Sequence, residues 1–285
     1  MFWLNKRLRR ILSGVVQQER QRLTQYVGDE TLLVHLDNGL FAYLDGRDAS
    51  LTPAILLHRT WEAHIGRFIA GNLPVGGTFV DIGANMGVHS LTAAQVAGPD
   101  GFVVAFEPQQ RHCDLLRRSV SANLFLHHFA VERMAIGAEQ GTARLGKFDH
   151  LTGSATLTDN GAITAHEEAP MLPLADALAQ VAAACHRPAI VPDMIKIDVE
   201  GFEYDVWNGM RDWAMAAERL TVILEYSPVS YRDMGRDPRA LLADFAACGF
   251  ATGQLDADGA VVPLDGEALD AMAAARSQFD IVLRK

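Results

Sequence analysis

The chain predicts an α/β fold: a mostly parallel, doubly wound sheet whose last strand runs antiparallel. Short apolar runs alternate with helical patterns over roughly 200 residues, the signature of parallel strands joined by helical crossovers. Thr78-Phe79-Val80-Asp81-Ile82 then reads as a buried strand that passes through Gly83-Ala84-Asn85-Met86-Gly87 into a helix marked by Val88, Leu91, Thr92 and Val96. Near the C-terminus, Asp256-Ala257-Asp258-Gly259 is a turn signal between two short strand candidates, so the final strand enters by a hairpin-type connection.

In chain order, residues 1–22 come first, with six basic side chains (Lys6, Arg7, Arg9, Arg10, Arg20, Arg22) against one acid, Glu19. Leu4, Leu8, Ile11, Leu12 and Val15 form one stripe on a helix there. Such a helix packs on its own domain, on a second subunit, or on an anionic membrane surface. Basic residues interrupt its apolar ones and no small-residue cleavage pattern follows, which argues against a signal peptide. Residues 31–36 and 40–44, around Asp37-Asn38-Gly39, predict a hairpin. The pattern over 54–72 predicts one helix ending before Pro74. Residues 1–60 thus read as a cap of basic helix and hairpin on a domain formed by residues 61–285.

Further strands are expected at 102–106, 129–135, 194–199, 220–226 and 279–283, and helices at 110–123, 174–185, 204–208 and 239–248. Residues 142–157 read as a hairpin-like excursion followed by a polar loop to Pro173. Residues 250–255 and 261–264 flank the C-terminal turn.

With 285 residues and 49% hydrophobic content, the chain can bury a sizeable core. Its net charge of −10 argues against nonspecific binding to a nucleic-acid backbone. Cys113, Cys185 and Cys248 are far apart and form no CxxC, which fits three reduced buried thiols in a cytoplasmic protein. No apolar run approaches the roughly 18–20 residues of a membrane span.

The glycine turn makes a ligand site, because a helix N-terminus presents free N–H groups and a positive dipole end beyond the sheet edge. Glu107 ends the second strand at the offset where a carboxylate accepts hydrogen bonds from ribose hydroxyls. Asp81, inside the first strand, either caps the turn or meets a cationic part of the ligand, and it would repel a diphosphate. GxxxG in place of GxGxxG points the same way, toward a positively charged adenosine-type ligand rather than NAD.

In Met194-Ile195-Lys196-Ile197-Asp198-Val199-Glu200-Gly201, polar residues alternate along a strand that should be buried on both faces. They are expected at its C-terminal end, where ligands bind. The next strand ends on Glu225, so Lys196, Asp198 and Glu225 either converge on the ligand or hold the strands together as a buried Lys196–Glu225 pair.

Three segments, Phe79 to Gly87, Ala105-Phe106-Glu107-Pro108 and Ile195 to Glu203, resemble the signature segments of FkbM-type methyltransferases, and Leu224-Glu225-Tyr226 fits them. The resemblance covers about residues 60–230 and implies a Rossmann-like class I methyltransferase fold. It implies S-adenosylmethionine as cofactor and methylation of a hydroxyl on a small molecule, such as a sugar, a glycolipid head group or a natural product. Asp81, Gly83, Ala84, Asn85 and Gly87 would then cradle the methionine end of the cofactor, and Glu107 with Pro108 its ribose. Glu62 would reach the cofactor's amino group or lie solvated on its helix.

Candidate bases are Asp198, which also borders the cofactor, then Lys196, Glu200 and His89. The alternative for His89 is an ordinary helix-packing role. Asp198 and Glu225 offer oxygens to Mg²⁺, but no third ligand is evident and no metal is expected. The histidines show no zinc-type spacing. An NAD-dependent oxidoreductase and a non-catalytic protein that binds a cofactor or docks a partner are the alternatives.

Overall fold

The computed structural model describes residues 23–147 and 165–285. The basic N-terminal stretch and the tip of the 142–157 excursion lie outside the described residues. Strands β1 (Thr24–Tyr26), β2 (Thr31–His35) and β3 (Phe41–Asp45) form a small antiparallel sheet, the last two as the expected hairpin. Helices α1 (Leu51–His58) and α2 (Ala63–Asn72) follow. The expected single helix is therefore two. Arg59 caps α1 in the left-handed region, and Glu62 precedes α2 there too, with φ of 60° and 40°.

The main sheet begins with β4 (Thr78–Ile82), α3 (Val88–Ala97), β5 (Phe102–Phe106), α4 (Gln110–Ala122) and β6 (Phe129–Glu132). The chain then leaves it for β7 (Ala135–Ile136), β8 (Gly141–Lys147) and β9 (Ala165–Leu172), a separate three-stranded sheet. β9 replaces the polar loop expected before Pro173. Its backbone pairs antiparallel with β8 while half of its side chains are exposed and only Ala169 is fully buried, so hydropathy gave no sign of it.

After α5 (Leu174–Ala184), the main sheet resumes with β10 (Met194–Ile197), α6 (Glu203–Ala216) and β11 (Thr221–Tyr226). The chain ends with α7 (Pro228–Asp233), α8 (Pro238–Ala247), β12 (Ala251–Leu255), β13 (Val261–Pro263), α9 (Gly266–Ala274) and β14 (Phe279–Arg284).

The main sheet is eight-stranded, in the order β13-β12-β14-β11-β10-β4-β5-β6. β11, β10, β4, β5 and β6 are parallel neighbours, and β14 runs antiparallel to both β11 and β12, as the sequence predicts. Each face has its own core. Val80, Val104, Ile195, Val222 and Leu283 point to α5, α6 and α8, while Phe79, Val103, Met194, Ile223 and Val282 point to α2, α3 and α4. Strand order reverses between β4 and β10, the switch point where such sheets open a crevice. The hairpin shares the second core: Val34, Ala42 and Leu44 pack with Leu91 and Leu116. Of the cysteines, Cys113 and Cys248 are buried but Cys185 is exposed, contrary to the expectation of three buried thiols. No helix among the described residues is long and apolar enough to cross a membrane.

Candidate active site

A cleft of about 1100 Å³, counting the solvent at its mouth, opens at the C-terminal ends of β4, β5 and β10. Gly83 to His89, Glu107 and Pro108, Lys196, Asp198, Glu200 and Glu62 all line it. The sequence candidates are thus brought together, with one exception. Asp81 is not on the cleft wall. It is buried beneath the turn, accepts the Ser90 hydroxyl at 2.5 Å, and is register partner to Lys196 on the neighbouring strand.

The turn spends its own amides. Gly83 and Ala84 both donate to the Phe106 carbonyl, Gly87 donates to Ala84, and Met86 to the Asn85 side chain. The first two of these bonds tie β4 to β5 and the other two close the turn on itself. Only the first amides of α3 lack an intrahelical acceptor at this mouth. Gly83 has a φ of +82°, and a Cβ on it would lie 1.8 Å from the Asp198 carbonyl oxygen, so the turn sits directly against the end of β10.

Glu107 is 4% exposed and takes one amide on each oxygen: Gln109 on Oε1 at 2.8 Å and Asn85 on Oε2 at 2.9 Å. Each oxygen keeps a lone pair for a further donor. Burial pushes Glu107 up to about 7, with Asp81 and Glu167 adding to the effect and the two amides opposing it.

Lys196 donates to Asp198 Oδ2 at 2.8 Å, and both are partly or fully buried. The pairing runs along one strand face, between residues two apart, rather than across to Glu225. Burial disfavours the ammonium, but Asp198, Asp81 and Glu62 outweigh it and hold Lys196 above its ordinary range. That arrangement favours the charged form of Lys196 in the cleft.

Glu62 lies before α2 and not within a helix. Its Oε2 is 3.0 Å from His89 Nε2. Burial pushes Glu62 up, but His89, Lys196 and His64 overcome this and leave it at about 2. Glu200, at a φ of 54°, is pushed up to about 7 by burial and by the negative charge of Asp198 and Glu203. Glu225 rises too, through burial and the charges of Asp198, Glu200 and Glu203.

The sequence reading missed the apolar wall. Met134 lies between β6 and β7, Ile136 and Leu145 come from β7 and β8, and Trp61 and Phe202 line the cleft as well. Trp61, beside Glu62, and Phe202, inside the segment from Ile195 to Glu203, were close to residues already singled out, while Met134, Ile136 and Leu145 were not. Among the described residues, no group of three or more His, Cys, Asp or Glu side chains is arranged to hold a metal ion. A buried acid with spare lone pairs, the acids Glu62 and Asp198 on the same cleft, and an apolar wall fit a positively charged nucleoside.

Residues 81–252 match the Methyltransferase FkbM domain. The chain belongs to the FkbM methyltransferase family. It is an S-adenosylmethionine-dependent methyltransferase, so the nicotinamide alternative falls away. Methyltransferase sdnD of Sordaria araneosa is similar to this FkbM chain, 26% identical over 189 residues that cover 56% of the chain and 71% of sdnD. Among solved structures, the precorrin-6y C5,15-methyltransferase of Geobacter metallireducens is similar at 9% identity and a TM-score of 0.43, over 79% of this chain and 88% of that one. An O-methyltransferase from Bacillus cereus in complex with SAH is similar at 14% identity and a TM-score of 0.43, over 77% and 80%.

Proposed function

We propose that this chain methylates a hydroxyl oxygen of a small molecule without negative charge: a sugar, a glycolipid head group or a natural product. The observation that carries the reading is the placing of Asp198 and Glu200 on the same cleft wall as the glycine turn and Glu107. Gly83, Ala84, Asn85 and Gly87 would let the amino-acid end of S-adenosylmethionine approach the backbone, with Glu62 and Asp198 facing its ammonium. Glu107 would accept the ribose hydroxyls beside Pro108, and Met134, Ile136 and Leu145 would cover the adenine. When bound, the cofactor supplies a methyl group already activated by a positive sulfur.

What remains for the protein is to orient the acceptor oxygen and take its proton. Orientation is worth up to about 7–11 kcal/mol. A base adds about 10²–10⁴-fold. Glu200 suits that task better than Asp198, because Asp198 is committed to the Lys196 ammonium and Glu200 exchanges its proton near neutral pH. Glu62, Asp198, Glu200 and Glu225 line the cleft while its one lysine is already paired, which disfavours phosphorylated or carboxylated acceptors. The division into a cap of residues 1–60 and a catalytic domain of residues 61–285 belongs to the same proposal. So do a cytoplasmic location and a contact of residues 1–22 with a subunit or membrane surface.

The test is transfer of labelled methyl from S-adenosylmethionine to a panel of sugars, polyols, phenols, amines and carboxylates. Label is expected on hydroxyl acceptors, at a rate that falls as pH drops through about 7. Glu200→Gln should lower kcat by about 10²–10⁴-fold. Transfer to amines or carboxylates alone would overturn the reading.

A further inference from the structure

Asp198 is the last residue the sheet holds, its amide donating to the Ile82 carbonyl of β4 at 3.0 Å, and Glu200 lies beyond that hold. Pairing of β10 with β4 and β11 ends at Ile197, and α6 begins at Glu203. Between them the chain turns through two successive left-handed residues, Glu200 at φ 54° and Gly201 at φ 103°. For Glu200 that conformation costs roughly 1–2 kcal/mol, so something must enforce it. From one side α7 does. A Cβ on Gly201 would lie 2.9 Å from the Ser230 Cβ and 3.1 Å from the Met234 Cε.

From the other side the enforcer is Glu203, whose side chain is fully buried. Its Oε1 accepts the Val199 amide at 3.2 Å and the Gly201 amide at 3.1 Å, the two that flank Glu200. A buried carboxyl among acids is an expensive way to fill space, and an apolar residue would do so more cheaply. Only an acceptor, however, satisfies both amides at once.

We propose that Glu203 is a positioning residue, which by binding the Val199 and Gly201 amides fixes the left-handed turn that holds Val199, Glu200 and Phe202 on the cleft wall. The role of Glu200 rests on the methyl-transfer reading above; the geometry of the turn does not. Glu200 is faced by Asp198 and Glu203 from its own turn, Lys196 from β10, Glu62 from the turn before α2 and Glu225 from β11. Glu203 therefore also acts on Glu200 through charge, an effect that a filler residue would lack.

The experiment needs no acceptor. The Glu200 carboxyl is followed by ¹³C NMR, assigned with Glu200→Gln, and S-adenosylhomocysteine binding by calorimetry, in the full chain and in its Glu203→Gln and Glu203→Leu variants. Glu203→Gln keeps an acceptor for the two amides and should bind S-adenosylhomocysteine within about threefold of the wild type, while the Glu200 titration moves to lower pH. Glu203→Leu releases both amides and should weaken binding by about tenfold or more. Wild-type affinity in Glu203→Leu would overturn the proposal. If that variant does not fold, Glu203→Asp, whose shorter side chain cannot reach both amides, is read instead, and wild-type affinity in it overturns the proposal. Failure of the wild type itself to bind S-adenosylhomocysteine would strike the reading of the cleft, not the role of Glu203.

Discussion

Glu107 shows how one side chain serves fold and ligand together. It ties the glycine turn to β5 through the Asn85 amide, and it keeps lone pairs directed at the cleft. Since burial raises it to about 7, ligand hydroxyls that favour the carboxylate must expel a proton below that pH. S-adenosylhomocysteine should therefore bind more tightly at pH 8 than at pH 6, by up to about tenfold for one proton. Glu107→Gln should flatten that dependence, and calorimetry at the two pH values checks both. Lys196 is the complementary case. Lys196→Met would leave Asp81 and Asp198 buried without their cation, at a cost of about 3–5 kcal/mol read from urea unfolding. The importance of Glu107 was legible from its offset to the glycines. The partner of Lys196 was not, because strand alternation admits both Asp198 on the same face and Glu225 on the neighbouring strand.

At the scale of elements, the strand–turn–helix from β4 to α3 positions the rest, and its tightness is tested at two glycines. Gly83 and Gly98 both have positive φ, but only at Gly83 does an added Cβ strike backbone, the Asp198 carbonyl; at Gly98 nothing lies within 4 Å. Gly98, at φ 69° and ψ −173°, is in a region nearly closed to other residues, so Gly98→Ala should cost about 1–3 kcal/mol. Gly83→Ala should cost clearly more in urea unfolding and abolish S-adenosylhomocysteine binding, since the ends of β4 and β10 must then part. Equal effects would mean that the turn is not packed as described. Strands β4, β5 and β11 could be read from the sequence because burial on both faces demands short apolar runs. β9 could not, since backbone pairing holds it while His166 and Glu168 stay at the surface. The break between α1 and α2 was hidden for a similar reason. It rests on left-handed Arg59 and Glu62, which nothing in composition marks, and it is this break that places Glu62 beside His89.

Across the whole molecule, acids accumulate where the sheet opens, and this sets how stability depends on pH. Glu107, Glu200 and Glu203 are raised in the folded chain from 4.5 to about 7, so they hold protons that the unfolded chain would release. Their stabilising effect is complete below 4.5 and is lost as pH rises through 7. Glu62 has the opposite sign, but its effect lies between 4.5 and about 2. With a net charge of −10 adding repulsion, thermal melting of the ligand-free chain should occur at lower temperature at pH 8 than at pH 5.5. A Tm that rises over that range would contradict the burial of these acids. The mostly parallel sheet with its antiparallel last strand was legible at this scale, whereas the separate β7–β9 sheet that supplies much of the apolar wall was not. The most direct test of the cofactor cleft is calorimetry of S-adenosylhomocysteine on the full chain and on Glu107→Ala. Specific one-to-one binding that weakens by at least about tenfold in the variant is expected. Absence of binding to the wild type, or equal affinity in the two, would contradict it.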